Sequence, residues 1–300
     1  MKVKDAIKDY LVEVEIKRFT EQTQHSYKTK LARFEKYLKE ELDITHMDDI
    51  TPATIKQYTQ YMTRKGMKGI SINTYLKVVK TFLQYSYEEG FGGFNAKRGG
   101  IKWVKQEKTI IRTFSVQDVR VMLSNCSGID YLSVRDKAII TFLVETGIRG
   151  FELCDIKKED IHEDYIIIRG KGRKIRSVPL TPMMKKEILR YERTKEDYFY
   201  LKPHADNYFL SKTGRALDTH QITRLIKRRG KDIKGVRVSV HTMRHFFAQQ
   251  SVKNGVSLYS LSRLLGHENI GITQTYLNSL KDADIVKMNK SNSVLMNMDF

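Results

Sequence analysis

Residues 165–180 read Tyr-Ile-Ile-Ile-Arg-Gly-Lys-Gly-Arg-Lys-Ile-Arg-Ser-Val-Pro-Leu. Tyr165 to Ile168 is a short β-branched run, Gly170-Lys171-Gly172-Arg173-Lys174 has turn chemistry, and Ile175 to Leu180 reads as a returning strand, so the stretch predicts a β-hairpin. Everything around it has helical patterning. Downstream, Pro182 opens a helix, and Asp218 to Lys231, Thr242 to Lys253 and Leu258 to Leu265 are further helices. Upstream, Ser115-Val-Gln-Asp118 is a cap with an acid in the first turn, and helices run from there to about Thr146. A single hairpin among helices predicts an α+β second half with a small antiparallel sheet.

The first hundred residues carry no strand signal. Lys4 to Arg18 places Ala6, Ile7, Leu11, Val12 and Ile16 close to helical spacing. A second helix starts near the cap residue Thr20 and runs through Tyr27, Leu31, Phe34, Tyr37 and Leu38. Thr51-Pro52 pairs a cap with proline at the first helical position, and that helix carries Ile55, Tyr58, Tyr61 and Met62 to a stop at Gly66. A fourth helix spans about Ser71 to Glu89 and ends at Gly90. Four helices on short loops make a small all-α domain. Phe91 to Ile111 then breaks the pattern with four glycines and five basic residues, read as a basic interdomain linker or a solvated surface loop. The expected organisation is mainly α, with a helical domain over 1–96, a linker over 97–112 and an α+β domain over 113–300.

Charge narrows the function. The 300 residues hold 54 Lys+Arg against 35 Asp+Glu, a net of +19. Residues 1–110 account for 21 and 14 of these, a net of +7, and the rest carries +12. Two basic halves ask for a polyanionic partner, of which nucleic acid is the commonest. The apolar stretch Ala138 to Val144, broken by Thr141, is too short to span a bilayer. Met1-Lys2-Val3-Lys4-Asp5 lacks the apolar core of a signal peptide. Cys126 and Cys154 cannot form a disulfide framework or a four-cysteine zinc site, which makes a reducing cytoplasm, and association with the nucleoid there, the expectation.

No phosphate-binding GxxxxGK[ST] loop, HExxH or CxxC spacing is present, nor a carboxylate cluster suited to two metals. No cofactor and no metal are expected. Phosphodiester chemistry would then fall to a side-chain nucleophile and to cations that stabilise the phosphorane. Four stretches could supply those parts. Arg149 stands in Thr146-Gly147-Ile148-Arg149-Gly150-Phe151-Glu152-Leu153, three residues before a glutamate that could orient it. Lys171 is at the hairpin tip. In His241-Thr242-Met243-Arg244-His245, positions 241 and 244 share a helix face. Leu264-Leu265-Gly266-His267 is followed nine residues later by Tyr276.

Those stretches, in that order and at those spacings, resemble the tyrosine recombinase (phage integrase) family, of the compact two-domain type seen in Xer-like and mobile-element recombinases. The likeness covers roughly residues 112–280. Residues 1–110 resemble the family's SAM-like, four-helix core-binding domain through pattern and position. The resemblance implies that Tyr276 is a nucleophile forming a 3′-phosphotyrosyl link and that Arg149 and Arg244 hold the non-bridging oxygens with forks that a lysine cannot copy. It also implies that His267 donates to the phosphate, that His241 assists the tyrosine's proton, and that Lys171, with Lys174 as second choice, protonates the departing 5′ oxygen. The implied partners are duplex DNA with a specific core site, gripped from opposite faces by the two domains, and further copies of the chain in a tetramer on two sites. An accessory DNA-bending factor is a further partner the resemblance allows. From the length, no additional amino-terminal arm-binding domain is expected. The tail from Lys281 to Phe300 is expected to dock into a neighbouring subunit, with a frayed tail or a helix packed on its own domain as the plainer reading.

Each residue has a plainer reading. Arg149 alone is a surface charge, and a lysine at a hairpin tip serves solubility. His241 and His245 suit a core, and His267 suits a helix C-terminus. Tyr276 is one of 16 tyrosines. Leu277-Asn278-Ser279-Leu280 and Gly150 depart from residues common in the family. The expected activity is metal- and ATP-independent site-specific recombination, as integration, excision, inversion or resolution. Relaxation of the type IB topoisomerase kind and non-catalytic DNA-binding regulation are the alternatives.

Overall fold

The computed structural model describes residues 1–105, 112–170, 172 and 174–277. The chain forms two compact units, Met1–Thr109 and Ile110–Phe300.

The first unit is built on α1 (Val3–Ile16), α2 (Glu21–Leu42), α3 (Pro52–Arg64) and α4 (Gly69–Glu88). In α1, Val3, Ala6, Ile7, Tyr10 and Val14 form one buried stripe at helical spacing. It meets Leu31, Phe34 and Leu38 of α2, Ile55, Tyr58 and Met62 of α3, and Leu76, Val79 and Phe82 of α4 in one core. Thr51 and Thr54 close a capping box over the first turn of α3, with Pro52 inside it. The segment expected as linker is partly tied down. Ile101 and Val104 pack on this core, and the Asn73 side chain bonds both the carbonyl and the amide of Val104 at 2.9 Å. Residues 106–111 lie outside the described residues.

The second unit contains α5 (Val116–Ser124), α6 (Tyr131–Thr146), α7 (Gly150–Asp155), β1 (Tyr165–Arg169), β2 (Ile175–Pro179), α8 (Pro182–Tyr198), α9 (Thr219–Arg229), α10 (Val240–Lys253), α11 (Leu258–Leu265) and α12 (Ile270–Leu277). The hairpin forms where its sequence places it, antiparallel, with Tyr165 opposite Pro179 and Ile168 opposite Arg176. Ile166, Ile168 and Val178 turn into the core. The centre is α6, buried nearly all round and packed against α8 and α10. Its Asp136 is fully buried and accepts from Arg135 at 2.7 Å, Arg228 at 2.7 Å and Arg229 at 2.9 Å, which ties α6 to α9. Gly147 ends α6 at φ 60°, in the left-handed region. Among the described residues no helix is long and apolar enough to cross a membrane.

Candidate active site

Arg149 stands at the N-cap of α7. Three residues on, Glu152 points back and accepts from the Arg149 amide at 2.8 Å and from its Nη1 at 3.0 Å. The carboxylate is buried, so it needs compensation, and a second arginine provides it from the sheet. Arg176 of β2 donates to both Glu152 oxygens, at 2.9 and 2.8 Å, and its Nε donates to the Leu264 carbonyl at 2.7 Å. Burial alone would raise the Glu152 carboxyl. Arg176 and then Arg149 outweigh it and hold the group below the usual carboxylate range.

Arg244 projects from α10 and is 3% exposed. Its Nη1 donates to the Gly147 carbonyl at 2.8 Å, and its Nη2 to the Leu265 carbonyl at 2.7 Å and to His267 Nε2 at 2.8 Å. Arginine only donates, so Nε2 accepts and the His267 proton is on Nδ1, where it donates to the Thr273 hydroxyl at 2.8 Å. Arg149 Nη2 lies 3.5 Å from the Gly266 carbonyl. The two guanidiniums therefore address consecutive carbonyls, 265 and 266, immediately before His267. Gly266 takes φ 64° there, and a Cβ would sit 3.1 Å from Arg176 Nη1.

Tyr276, on α12, is 3% exposed and packs with Ala248, Val252, Leu261 and Leu265. The His267 ring lies nearly parallel to it, centroids 6.2 Å apart. The His245 ring also meets Tyr276 edge-on, at 5.3 Å, and lies against His241 at 4.3 Å. Among the described residues, His245 Nδ1 is buried without a hydrogen-bond partner.

The field is strongly cationic. Burial and then Arg149 pull Arg244 down to about 10, still protonated at neutral pH. Burial and then Arg244 pull His267 down to about 4. Burial and then His241 do the same to His245, also to about 4. His241 is lowered by burial, then by Arg244 and Arg149. Among the described residues, Arg244 keeps its Nε–H and one Nη1–H without a protein partner, and Arg149 keeps its Nε–H and one hydrogen on each terminal nitrogen. These donors, backed by uncompensated positive charge, suit a tetrahedral anion.

Of the residues singled out in the sequence, Arg149, His241, Arg244, His267 and Tyr276 come together here. Lys171 lies outside the described residues, as does the tail from Lys281. Lys174, its alternate, pairs with Glu268. Glu152 has the orienting role expected of it. Arg176 and Thr273 were not singled out. Arg176 shares the inward register of β2 with buried Val178, and that alternation was the available signal. Thr273 had none.

The phage integrase family model matches residues 112–282, more than half of the chain. The chain belongs to the phage integrase family. Residues 7–90 match that family's N-terminal SAM-like domain. This tyrosine recombinase is 28% identical over 261 residues to the tyrosine recombinase XerC of Thermodesulfovibrio yellowstonii, covering 85% of this chain and 84% of that one. It is 29% identical to XerC of Vibrio cholerae, covering 85% and 81%. The recombinase also shares the fold of the XerH site-specific recombinase bound to palindromic difH substrate (TM-score 0.73, 17% identity, 92% and 80% covered). It is similarly like a lambda integrase dimer bound to a core site (TM-score 0.73, 17% identity, 93% and 96% covered).

Proposed function

We propose that this recombinase cuts and rejoins duplex DNA at a specific core site through a 3′-phosphotyrosyl intermediate on Tyr276. The observation that carries the reading is the convergence of Arg149, Arg244 and His267 on the 265–267 turn beside the Tyr276 ring. The phenol oxygen bonds to phosphorus as the P–O5′ bond breaks. The phenol proton leaves through the imidazoles of α10, with His241 as acceptor, and Lys171 supplies the proton to the 5′ oxygen. A phenol of ordinary pKa about 10 is a weak nucleophile, so this acceptor and the cationic surroundings are needed. Arg149 and Arg244 bind the non-bridging oxygens through their unpartnered N–H groups. His267 joins them by exchanging tautomer. With the proton on Nε2 it donates to phosphate, while Nδ1 accepts from the Thr273 hydroxyl, which can serve either way. That exchange also releases Arg244 Nη2 toward the phosphate. The tyrosyl ester keeps the bond energy for rejoining, so no nucleotide is consumed. Xer-like strand exchange by a tetramer on two DNA sites completes the reading, and the lambda integrase tetramer bound to a Holliday junction, TM-score 0.71, shares this fold.

Trapping on sheared genomic DNA, followed by denaturation and sequencing of protein-linked ends, identifies the core site. A nicked duplex carrying that sequence then gives a denaturant-resistant adduct with wild type and none with Tyr276→Phe. An adduct that survives the Phe change sinks the assignment. Arg149→Lys and Arg244→Lys should bind the duplex and cleave about 100- to 1000-fold more slowly.

A further inference from the structure

We propose that Arg176 is a positioning residue for the phosphate site, setting Arg149 through Glu152 and holding the turn that presents His267. The inference rests on the Tyr276 chemistry above and extends it to a residue on the sheet. Arg176 extends from β2 with a side chain only 12% exposed, against 36% for Arg149. Each of its three nitrogens is committed, two to the Glu152 carboxylate and Nε to the Leu264 carbonyl. The same two carboxylate oxygens hold the amide and the Nη1 of Arg149. The place of Arg149 is therefore dictated by a carboxylate whose own place is dictated by Arg176. At its other edge the guanidinium lies against Gly266, whose missing side chain permits the contact. A Cβ there would stand 3.1 to 3.3 Å from Arg176 Nη1, Cδ and Cζ.

One side chain thus joins β2 to the start of α7 and to the end of α11. It is poorly suited to meet phosphate itself, because its charge is cancelled by a bidentate carboxylate in a buried place. A lysine at 176 would keep the charge and reach one acceptor, but could not span three.

The test compares Arg176→Lys and Arg176→Gln with wild type in the full chain. The probe is the nicked duplex defined by adduct mapping, made with an ordinary scissile phosphate or with a methylphosphonate there. The neutral methylphosphonate develops less charge for Arg149 to stabilise. Arg176→Lys should fold and bind DNA as wild type does and form the adduct about 100-fold more slowly, the scale expected from a misplacement near 1 Å. That penalty should shrink on the methylphosphonate. Wild-type cleavage by Arg176→Lys overturns the proposal. So does an equal penalty on both duplexes, which would make Arg176 only a staple of the hairpin. Arg176→Gln leaves Glu152 less compensated and should be slower still; if it unfolds, the lysine variant alone decides. Failure of the Tyr276 reading shows elsewhere, as an adduct persisting in Tyr276→Phe, whereas failure of the Arg176 reading shows only in the Arg176 variants with wild-type chemistry intact.

Discussion

Replacing Gly147 by alanine tests whether the end of α6 anchors the site. Two costs follow from the structure. The residue has φ 60°, and an L side chain in that region costs about 1–2 kcal/mol. The new Cβ would also stand 2.4 Å from Phe247 Cδ1 and 2.9 Å from Leu265 Cδ2, so α10 or α11 must yield, at about 1–3 kcal/mol. The sum is a loss of about 2–5 kcal/mol. Gly255→Ala is the matched control. Gly255 follows α10 in the same unit at φ 84°, with no atom of the described residues within 4 Å of a Cβ, so it bears the conformational cost alone. Urea-dependent amide exchange in α6 and α10 of the full chain measures both. Gly147→Ala should exceed its control by about 1–3 kcal/mol. It should also slow adduct formation in molecules that remain folded, since the Gly147 carbonyl receives Arg244 and Leu265 supplies the next anchor. Equal stability losses in the two variants would refute the steric argument, and undisturbed cleavage by Gly147→Ala would refute the link from helix end to site.

Three further outcomes are expected. Asp136→Asn removes the buried charge shared by Arg135, Arg228 and Arg229 and should cost about 3–5 kcal/mol in denaturant unfolding; a change within error would mean the arginines are compensated elsewhere. Stability should fall on acidification because His245 and His267 titrate near 4 in the fold, below the ordinary 6.5. The unfolded chain then binds more protons between those values, so this stability is whole above pH 6.5 and drains as pH approaches 4. Complete shielding would make that about 3 kcal/mol for each group, and water at these half-buried sites reduces it to about 1; a flat profile over that window contradicts it. Thr273→Val strands the His267 Nδ1–H and should cost about 1–3 kcal/mol. Nitrogen NMR should show the Nδ1–H tautomer retained, because Arg244 still donates to Nε2, with the Nδ1–H exchanging with solvent faster than in wild type once the Thr273 hydroxyl is gone; an unchanged exchange rate would show that Thr273 does not hold that proton.

The fold was legible where pattern and length agreed. The hairpin is specified by a β-branched run, a glycine turn and a second strand. The four amino-terminal helices are specified by apolar spacing and by stops at Gly66 and Gly90. Local pattern fails for α7 and α12, which span six and eight residues. In α12, Ile270 and Ile272 are exposed while polar Thr273 is buried, the reverse of an amphipathic stripe, because that helix is placed by His267 and by the Tyr276 cluster. Ile101 and Val104 were hidden in another way. A glycine-rich, basic composition reads as linker, yet two apolar residues and one asparagine suffice to fix that strand of chain on the helical unit.

The site shows what a one-dimensional reading reaches. Ordered motifs point to Arg149, Arg244, His267 and Tyr276, but an arginine that meets a phosphate and one that holds its neighbour are the same letter. Partners separate them. The charge of Arg176 is spent on both oxygens of Glu152. Arg244 is anchored by two neutral carbonyls and a neutral imidazole, so it is held rigidly with its charge undiminished, which is the state the proposed phosphate contact requires. Arg149 stands between, sharing Glu152 while staying the most exposed of the three. The net +19 of the chain is spread over two basic halves, and in this one place a single carboxylate is shared so that two of three guanidiniums stay available to an anion.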